Sequence, residues 1–403
     1  MSDRILPVEK KILSWVDKKI YIFWYIAVSI IAAFIRYSFF DCLSVDYISS
    51  LLPWFDEITA SGGFSSLGTQ TGDYNVLYQF LIACMTYIPI KPLYSYKILS
   101  CLFDYLLAWI TACLVGICVE TKKTLWRAVA YSMVLLSPII FLDSSAWAQC
   151  DSIYIFFCLA ALYFLLRHRY LLSFTLYGVA FAFKLQSIFL LPFFFFVYYR
   201  ERNFSLFHFF LIPIVMIVSG LPGVLFGRNV FDVFSVYFAQ ADKSIYITMN
   251  YPTVWLLLYH TSLSWSYQTL HSAAILLSLS VMGIFMVFWH VNNVAMTENN
   301  KICMALILTY SCVLLLPSMH ERYGMLYEVL AIVVFCIDKK TRLLLVPLCG
   351  ISLATYGEFL FNSEFDLNLL AAVNTIIYIL YTFLLNRKML DNPELMTVSQ
   401  TRS

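Results

Sequence analysis

The sequence IYIFWYIAVSIIAAFIRYSFF, residues 20–40, decides the class of fold of this chain. Its only charged residue is Arg36, and about 20 apolar residues in a helix cross the roughly 30 Å hydrocarbon core of a bilayer. Because unpaired backbone amides are costly in hydrocarbon, we expect such runs to be helices. Similar runs recur along the 403 residues, of which 61% are hydrophobic and 12% charged, against about a quarter charged in soluble proteins. The sequence therefore predicts an all-α, polytopic membrane protein whose first span is retained.

The basic residues indicate which loops share a side of the membrane. They form seven clusters, at residues 4–19, 122–127, 167–169, 200–202, 301, 339–342 and 387–388. Cytoplasmic loops collect Lys and Arg, so we expect all seven clusters to be cytoplasmic. This holds only if residues 74–90, a short apolar segment interrupted by Tyr, Asn and Gln, lie at the membrane surface and do not cross it.

The resulting topology has roughly twelve spans and both termini in the cytoplasm. The spans are expected near residues 20–40, 94–118, 127–143, 152–166, 170–186, 188–200, 205–225, 269–291, 302–318, 323–337, 342–360 and 368–386. We treat residues 1–403 as a single integral membrane domain in a cell membrane. Residues 41–93 form its first external loop, with juxtamembrane helices, and residues 387–403 form a cytoplasmic tail.

The same topology predicts that the conspicuous polar segments converge outside the cytoplasm. They are residues 41–73, 142–152, 183–187, 227–252 and 317–324. The first carries five carboxylates and no Lys or Arg, and the others contribute basic residues, among them Lys184, His320 and Arg322. Such a set over an apolar bundle is typical of a site that handles a phosphorylated lipid. Residues 227–252 are expected to cover that site, followed by a short re-entrant element.

Several motifs carry a resemblance to a known family. They are Asp46-Tyr47, Pro53-Trp54-Phe55-Asp56, Gly72-Asp73-Tyr74, Lys184 and His320-Glu321-Arg322-Tyr323. At these positions the chain resembles the GT-C glycosyltransferases, particularly bacterial relatives of the second GPI mannosyltransferase and, more distantly, dolichyl-phosphate-glucose glucosyltransferases. The resemblance covers residues 20–330, although Val76-Leu77 stands where relatives commonly have Pro-Pro. It implies a polyprenyl-phosphate-sugar donor and a catalytic Asp in the first external loop.

Sugar transfer from a polyprenyl phosphate needs a base for the acceptor hydroxyl and positive groups for the departing phosphate. Asp46 is the predicted base, since it lies at the expected outer surface and matches the motif. Asp56 and Glu57 are expected to bind the acceptor sugar or to lie on a helix face. Asp73 either binds substrate or caps a helix that starts near Tyr74.

The predicted phosphate-binding residues are Lys184, His320 and Arg322, with Lys97 near the lipid phosphate. Arginine offers phosphate a planar fork of N–H groups and lysine a compact charge. The alternatives are an ion pair at the membrane boundary for His320 and Arg322, and snorkelling for Lys184. Lys97 and Asp104 are seven residues apart on one helical face, so they form either an orienting pair or a packing contact.

The predicted sugar-binding residues combine a stacking surface with hydrogen-bonding groups. Asp143, Trp147, Gln149 and Asp151 have this character, because a sugar ring stacks on an indole while its hydroxyls meet carboxylates and amides. An ordinary external loop would have the same composition. Tyr74 and Tyr323, which belong to the resembling motifs, complete the substrate-binding set. Glu328, within an expected span, is either structural or protonated.

The hypothesis is an inverting, metal-independent glycosyltransferase without a cofactor. Its partners would be an undecaprenyl- or dolichyl-phosphate sugar, a glycan or lipid-linked acceptor such as a cell-envelope polysaccharide, and the lipid bilayer. The eleven Cys show no CxxC spacing, which argues against a metal centre or a disulfide framework. No nucleic-acid-binding patch is present. The rival interpretation is a secondary transporter or lipid-linked-sugar flippase, a class that commonly shows repeated halves; we find no internal repeat.

Overall fold

The computed structural model describes residues 6–243, 246–259 and 266–391. All regular elements in these ranges are helical, and strand-like pairing is limited to isolated bridges of Met249 and Asn250 with His320. The predicted all-α class is therefore confirmed. The α-helices of the described residues are α1 (Pro7–Tyr37), α2 (Leu52–Ala60), α3 (Val76–Met85), α4 (Pro92–Cys118), α5 (Lys123–Leu135), α6 (Pro138–Phe141), α7 (Asp151–Leu166), α8 (Tyr170–Phe183), α9 (Leu191–Glu201), α10 (Leu211–Leu225), α11 (Asp232–Lys243), α12 (Val254–Tyr259), α13 (Tyr267–Val291), α14 (Glu298–Leu315), α15 (Met325–Ile337), α16 (Arg342–Phe361) and α17 (Leu367–Asp391).

Six helices of the described chain are long and apolar enough to cross a membrane. They are Val8–Tyr37, Pro92–Cys118, Leu206–Leu225, Tyr267–Val291, Arg342–Phe361 and Leu367–Asp391. A seventh is obtained if Lys123–Leu135 and Pro138–Ala146, which meet at a 46° bend, count as one span. Length and composition are thus those of a multi-pass membrane protein.

The twelve predicted spans all contain helix, but not all are long enough to count as spans. α7, α8, α9 and α15 have 16, 14, 11 and 13 residues, against the roughly 20 that a bilayer requires. α14 has 18 residues, but its first four are polar. At the other end of the chain, α17 continues to Asp391, so the predicted tail begins in a helix; residues 392–403 lie outside the described residues.

The helices divide into an inner and an outer group. α7, α14 and α15 are buried over most of their length, so their sequences are apolar on all faces without needing full bilayer length. The long helices α1, α13 and α17 instead leave many large apolar side chains exposed, among them Phe34, Ile284 and Phe383. This exposed apolar surface is typical of a lipid-facing shell around a protein core.

The segment of residues 74–90 contains a helix too short to cross. α3 spans ten residues, which at 1.5 Å per residue is about 15 Å, half the thickness of the bilayer core. With α2 and the 3₁₀ turn Gly63–Gly68 it forms the compact body of the first loop. The prediction that this segment does not cross agrees with its length.

Buried polar contacts fix α1 against α4, and in them Asp104 and Lys97 have partners other than each other, as a structural role for both allows. Arg36 pairs with Asp104 at 2.8 Å, and both side chains are buried. Asp104 also accepts hydrogen bonds from Ser144 and Ser152 at 2.6 and 2.5 Å. The Lys97 ammonium donates to three backbone carbonyls just beyond the end of α1, at 2.7 to 3.0 Å. Lys97 is therefore a structural cap and does not reach the phosphate site predicted for it.

Removing one partner of the Arg36–Asp104 pair is expected to destabilise the fold strongly. Asp104→Leu should lower the free energy of unfolding by about 3–5 kcal/mol, because it leaves a buried guanidinium unpaired. Arg36→Met combined with Asp104→Leu should recover most of that loss. Unfolding in detergent, followed by tryptophan fluorescence, measures both. The exposed pair Arg387–Asp391 is the control, and Asp391→Asn should leave the unfolding midpoint unchanged. If Asp104→Leu also left the midpoint unchanged, the buried pair would not stabilise the fold.

Helix ends that carry basic clusters meet at one end of the bundle. Lys301, near the start of α14, pairs with Glu201 at the end of α9. Arg200 donates to the Val294 carbonyl at 3.0 Å, and Lys388 lies 3.7 Å from Asp338. The ends of α9 and α14 that carry these residues are the far ends from Lys184 and from residues 316–324, so the clusters joined by these contacts lie away from those two polar segments.

Candidate active site

Five polar segments converge on one cavity of about 530 Å³. This convergence was predicted from the order of the spans, and the structure shows it among the described residues. The lining residues are Asp46, Ser50, Leu51, Trp54, Asp73, Tyr74, Gln149, Lys184, Gln186, Gln240, Tyr246, Met249, His320, Arg322 and Tyr323. Eight predicted site residues are therefore brought together: Asp46, Asp73, Tyr74, Gln149, Lys184, His320, Arg322 and Tyr323.

Asp46 is held where the first loop re-enters helical structure. It directly precedes the π-helical turn Tyr47–Leu51, a rare geometry that is frequent at functional sites. Ser44 accepts a hydrogen bond from the Tyr47 amide at 3.1 Å and donates to the Trp147 carbonyl at 2.7 Å. One buried serine thus caps the turn and ties it to a loop 100 residues later. Sequence reasoning missed Ser44, although a serine three residues before a helical amide is a recognised capping signal.

Three donors converge on one oxygen of the Asp46 carboxylate. Oδ2 accepts from Trp147 Nε1 at 2.9 Å, Gln149 Nε2 at 2.7 Å and Arg322 Nη1 at 3.2 Å. Within the described part of the chain, no hydrogen bond reaches Oδ1. The side chain is 27% exposed and lines the cavity. The carboxylate is therefore oriented through one oxygen and keeps the other for a ligand.

The loop that supplies Trp147 and Gln149 turns through a strained residue. Ala148 has φ of 65°, in the left-handed region that costs a non-glycine residue roughly 1–2 kcal/mol. The preceding residues Leu142–Ala146 form a second π-helical turn. Together they aim two side chains separated by one position at the same carboxylate oxygen. Strain of this kind persists where the surroundings over-determine it and clusters at functional sites.

The conformation of Ala148 gives a prediction on site geometry. Ala148→Val should lower the turnover of the sugar transfer expected from the sequence at least tenfold, which is roughly 1.4 kcal/mol in activation free energy. The reason is that a β-branched side chain is a strong outlier at positive φ. Ala148→Gly should preserve turnover, since glycine adopts this conformation freely. Turnover per folded molecule is the measurement, with Ala60→Val on exposed α2 as the control. Equal activity of Ala148→Val and wild type would show that this turn does not set the geometry of Asp46.

Lys184 and Asp151 form a buried pair at the cavity wall. Lys184 follows the last residue of α8, and Asp151 is the first residue of α7. Lys184 Nζ lies 2.9 Å from Asp151 Oδ1, and Asp151 is fully buried. The ammonium also lies 5.3 Å from the centre of the Tyr74 ring. The Lys184 ammonium therefore has an anionic partner inside the protein and does not need to snorkel to the membrane surface. Asp151 does not line the cavity, so its contact is with Lys184 and not with a substrate.

Arg322 lies between two carboxylates and an indole. Its guanidinium is 3.2 Å from Asp46 and 3.9 Å from Glu321, and its centre lies 4.9 Å from the Trp147 ring. The same indole stacks on Phe359 with 4.5 Å between ring centres. Trp147 is fully buried, so the prediction that it offers a stacking surface to a sugar is wrong. It orients Asp46 and supports Arg322.

His320 lies on the cavity wall in surroundings that favour its neutral form. Burial, followed by the nearby charges of Arg322 and Lys184, lowers the pKa of His320 to about 4. Its backbone forms the isolated bridges with Met249 and Asn250, which bring the segment after α11 to the cavity. At neutral pH the imidazole therefore offers one N–H donor and one acceptor nitrogen.

α11 covers the cavity from the side of the first loop. The Asn75 amide donates to the Val233 carbonyl at 2.8 Å, and Gln240 donates to the backbone carbonyl of Asp73. Asn75 also caps α3 by accepting from the Val76 amide at 2.8 Å. The cap is thus Asn75, not Asp73, which leaves Asp73 exposed on the cavity wall. The short helix α12 follows the covering segment.

Other predicted site residues lie away from the cavity. Asp56 and Glu57 are exposed on α2, where Glu57 accepts a hydrogen bond from Thr71 at 3.1 Å; the helix-face alternative fits them. Asp143 is fully buried, and neither carboxyl oxygen has a hydrogen-bond partner among the described residues. It therefore cannot contact a sugar in this conformation.

The cavity combines two carboxylates, Asp46 and Asp73, with the cations of Lys184 and Arg322, the imidazole of His320 and several amides. Among the described residues, no three His, Cys, Asp or Glu side chains are grouped in a way that would hold a metal ion. No known protein-family model matches the chain, and no curated protein matches it. The geometry of the cavity is therefore the basis for assigning a function.

Proposed function

We propose that the protein is an inverting glycosyltransferase that moves a monosaccharide from a polyprenyl phosphate to a glycan or lipid-linked acceptor. The polyprenyl carrier is undecaprenyl or dolichyl phosphate. One observation carries the proposal: a carboxylate with a free oxygen, Asp46, shares a cavity with Lys184 and Arg322 at the end of an apolar helical bundle. A base and a phosphate-binding cation pair are the two groups that this transfer needs.

In the proposed reaction, the Asp46 carboxylate accepts the proton of the acceptor hydroxyl. The hydroxyl oxygen forms a bond to the anomeric carbon as the bond from that carbon to the phosphate oxygen breaks, and the bonding pair leaves with the phosphate. Arg322 and Lys184 stabilise the polyprenyl phosphate that departs. A single displacement of this kind inverts the anomeric configuration. The proton then leaves Asp46 for solvent, so the sugar donor and the acceptor are the only reactants and no oxidant is required.

Trp54 and the amides of the cavity supply sugar recognition in this proposal. Trp54 lines the cavity and replaces Trp147 as the aromatic surface on which a sugar ring can stack. The side chains of Gln149, Gln186 and Gln240 also line it, and each amide provides donor and acceptor groups for hydroxyls. Tyr74 and Tyr323 contribute phenolic hydroxyls at the cavity wall.

The proposed setting is a cell membrane with the cavity on the extracytoplasmic side. The basic clusters gather at the opposite end, which agrees with a cytoplasmic location of those ends. In this arrangement the shorter helices α7, α8, α9, α14 and α15 also pass through the membrane, giving up to twelve passes. A lipid-anchored sugar would then reach the cavity from the outer leaflet.

The experiment is acceptor-dependent release of polyprenyl phosphate. Purified protein in nanodiscs is incubated with a panel of polyprenyl-phosphate sugars and glycan acceptors, and both products are followed by mass spectrometry. We expect equal amounts of glycosylated acceptor and polyprenyl phosphate, with inverted configuration at the new linkage. Movement of an intact lipid-linked sugar across proteoliposomes, without any product, would instead identify a transporter or flippase.

A further inference from the structure

Arg322 and Lys184 differ in how firmly the protein holds them. Lys184 makes a 2.9 Å contact with fully buried Asp151, and such a pair is costly to break. Arg322 makes one 3.2 Å contact with Asp46, which is 27% exposed, and a 3.9 Å contact with Glu321. Of the two cations, Arg322 is therefore the one that can change its partner.

The guanidinium of Arg322 is incompletely satisfied. Its Nε atom is buried and has no hydrogen-bond partner within the described chain, although the side chain is only 11% exposed. Only Nη1 reaches Asp46, so the two carboxylate oxygens are not engaged by a fork of two N–H groups. A phosphate matches that fork with two of its oxygens and forms strong charge-assisted hydrogen bonds.

The contact with Arg322 also restrains Asp46. The guanidinium is one of three groups that surround Oδ2, so it occupies space beside the carboxylate that an acceptor hydroxyl could otherwise enter. The other two donors to Asp46, Trp147 Nε1 and Gln149 Nε2, are neutral. If Arg322 turns to a phosphate, Asp46 keeps its orientation through these neutral donors, and the side of Oδ2 that Arg322 occupied is opened.

We propose that Arg322 is a latch on Asp46 that the phosphate of the lipid-linked sugar releases. This inference rests on the proposed function and adds the order of events to it. The phosphate competes with Asp46 for the guanidinium, so binding of the sugar donor frees the carboxylate for the acceptor hydroxyl. The acceptor hydroxyl is deprotonated only after the sugar donor is in place. Lys184 stays on Asp151 and serves as the fixed part of the phosphate site.

A double-mutant cycle on phosphate binding tests the latch. Undecaprenyl phosphate is the probe, and its dissociation constant is measured for wild type, Asp46→Asn, Arg322→Gln and the double variant, all in nanodiscs. Asp46→Asn should bind the probe about tenfold more tightly than wild type, because Arg322 is no longer shared; coupling between sites typically spans 5- to 150-fold. In the Arg322→Gln background the same substitution should change affinity less than twofold.

The outcomes separate the latch from simple removal of a negative charge. If Asp46→Asn acted only by removing charge repulsion, it would tighten binding of the probe equally in the wild-type and Arg322→Gln proteins. Such an additive result would overturn the latch and leave the proposed function in place. No binding of the probe by wild type would overturn both proposals. Arg322→Lys provides a second test that keeps the charge: the latch predicts a partial gain on Asp46→Asn, and the full tenfold gain would contradict a role for the guanidinium fork.

Discussion

Asp46→Asn is expected to lower sugar transfer by about 10²–10⁴-fold, the usual contribution of a positioned general base. Asparagine fills nearly the same space, so the hydrogen bonds from Trp147 and Gln149 can persist with its carbonyl oxygen. The fold should therefore remain, and the variant should bind polyprenyl phosphate at least as tightly as wild type does. Single-turnover measurements with bound sugar donor isolate the chemical step from binding.

Asp56→Asn is the matched control for this substitution. Asp56 belongs to the same acidic loop and to a motif that resembles the GT-C family, but it is exposed on α2 and does not line the cavity. Turnover of Asp56→Asn should stay within twofold of wild type. If both variants lost turnover equally, the loss would reflect the acidity of the loop and not a base at residue 46.

Lys184→Met is expected to affect both stability and transfer. Removing the ammonium leaves Asp151 buried without its cation, which should lower the free energy of unfolding by about 3–5 kcal/mol. Loss of a charge that faces the departing phosphate should also lower turnover by about 10²–10³-fold, as for other preorganised stabilisers. Unfolding in detergent and turnover per folded molecule measure the two effects separately.

A second substitution separates these two roles of Lys184. Lys184→Met with Asp151→Asn removes the unpaired charge, so most of the lost stability should return while transfer stays low. Lys91→Gln, an exposed lysine just before α4, should change neither quantity. Recovery of full turnover in the double variant would show that Lys184 serves only the fold.

The broad architecture and much of the cavity could be predicted from the sequence. Apolar runs reveal membrane helices because bilayer thickness sets their length, and the positions of Lys and Arg indicate which side each loop faces. The convergence of Asp46, Lys184 and Arg322 follows from that assignment of loops to sides. The number of spans does not follow, because a helix buried in a bundle can be shorter than a lipid-facing one, as α7 and α15 are.

The contacts within the site could not be predicted in this way. Whether Lys97 meets Asp104 or three backbone carbonyls depends on how α1 ends against α4, which helical periodicity does not specify. Likewise, the composition of the loop around Trp147 is the same whether its indole faces a sugar or is buried against Phe359. The positive φ of Ala148 accompanies the buried position of the indole, and an alanine in the sequence does not predict a positive φ.

The most direct test of the central claim is one assay on wild type, Asp46→Asn and Asp56→Asn with the panel of polyprenyl-phosphate sugars and acceptors. The account predicts glycosylated acceptor with at least one sugar donor for wild type and Asp56→Asn. It predicts about 10²–10⁴-fold less for Asp46→Asn, with polyprenyl-phosphate binding intact. Equal product from all three proteins would contradict the role of Asp46, and no product from wild type with any sugar donor would contradict glycosyl transfer itself.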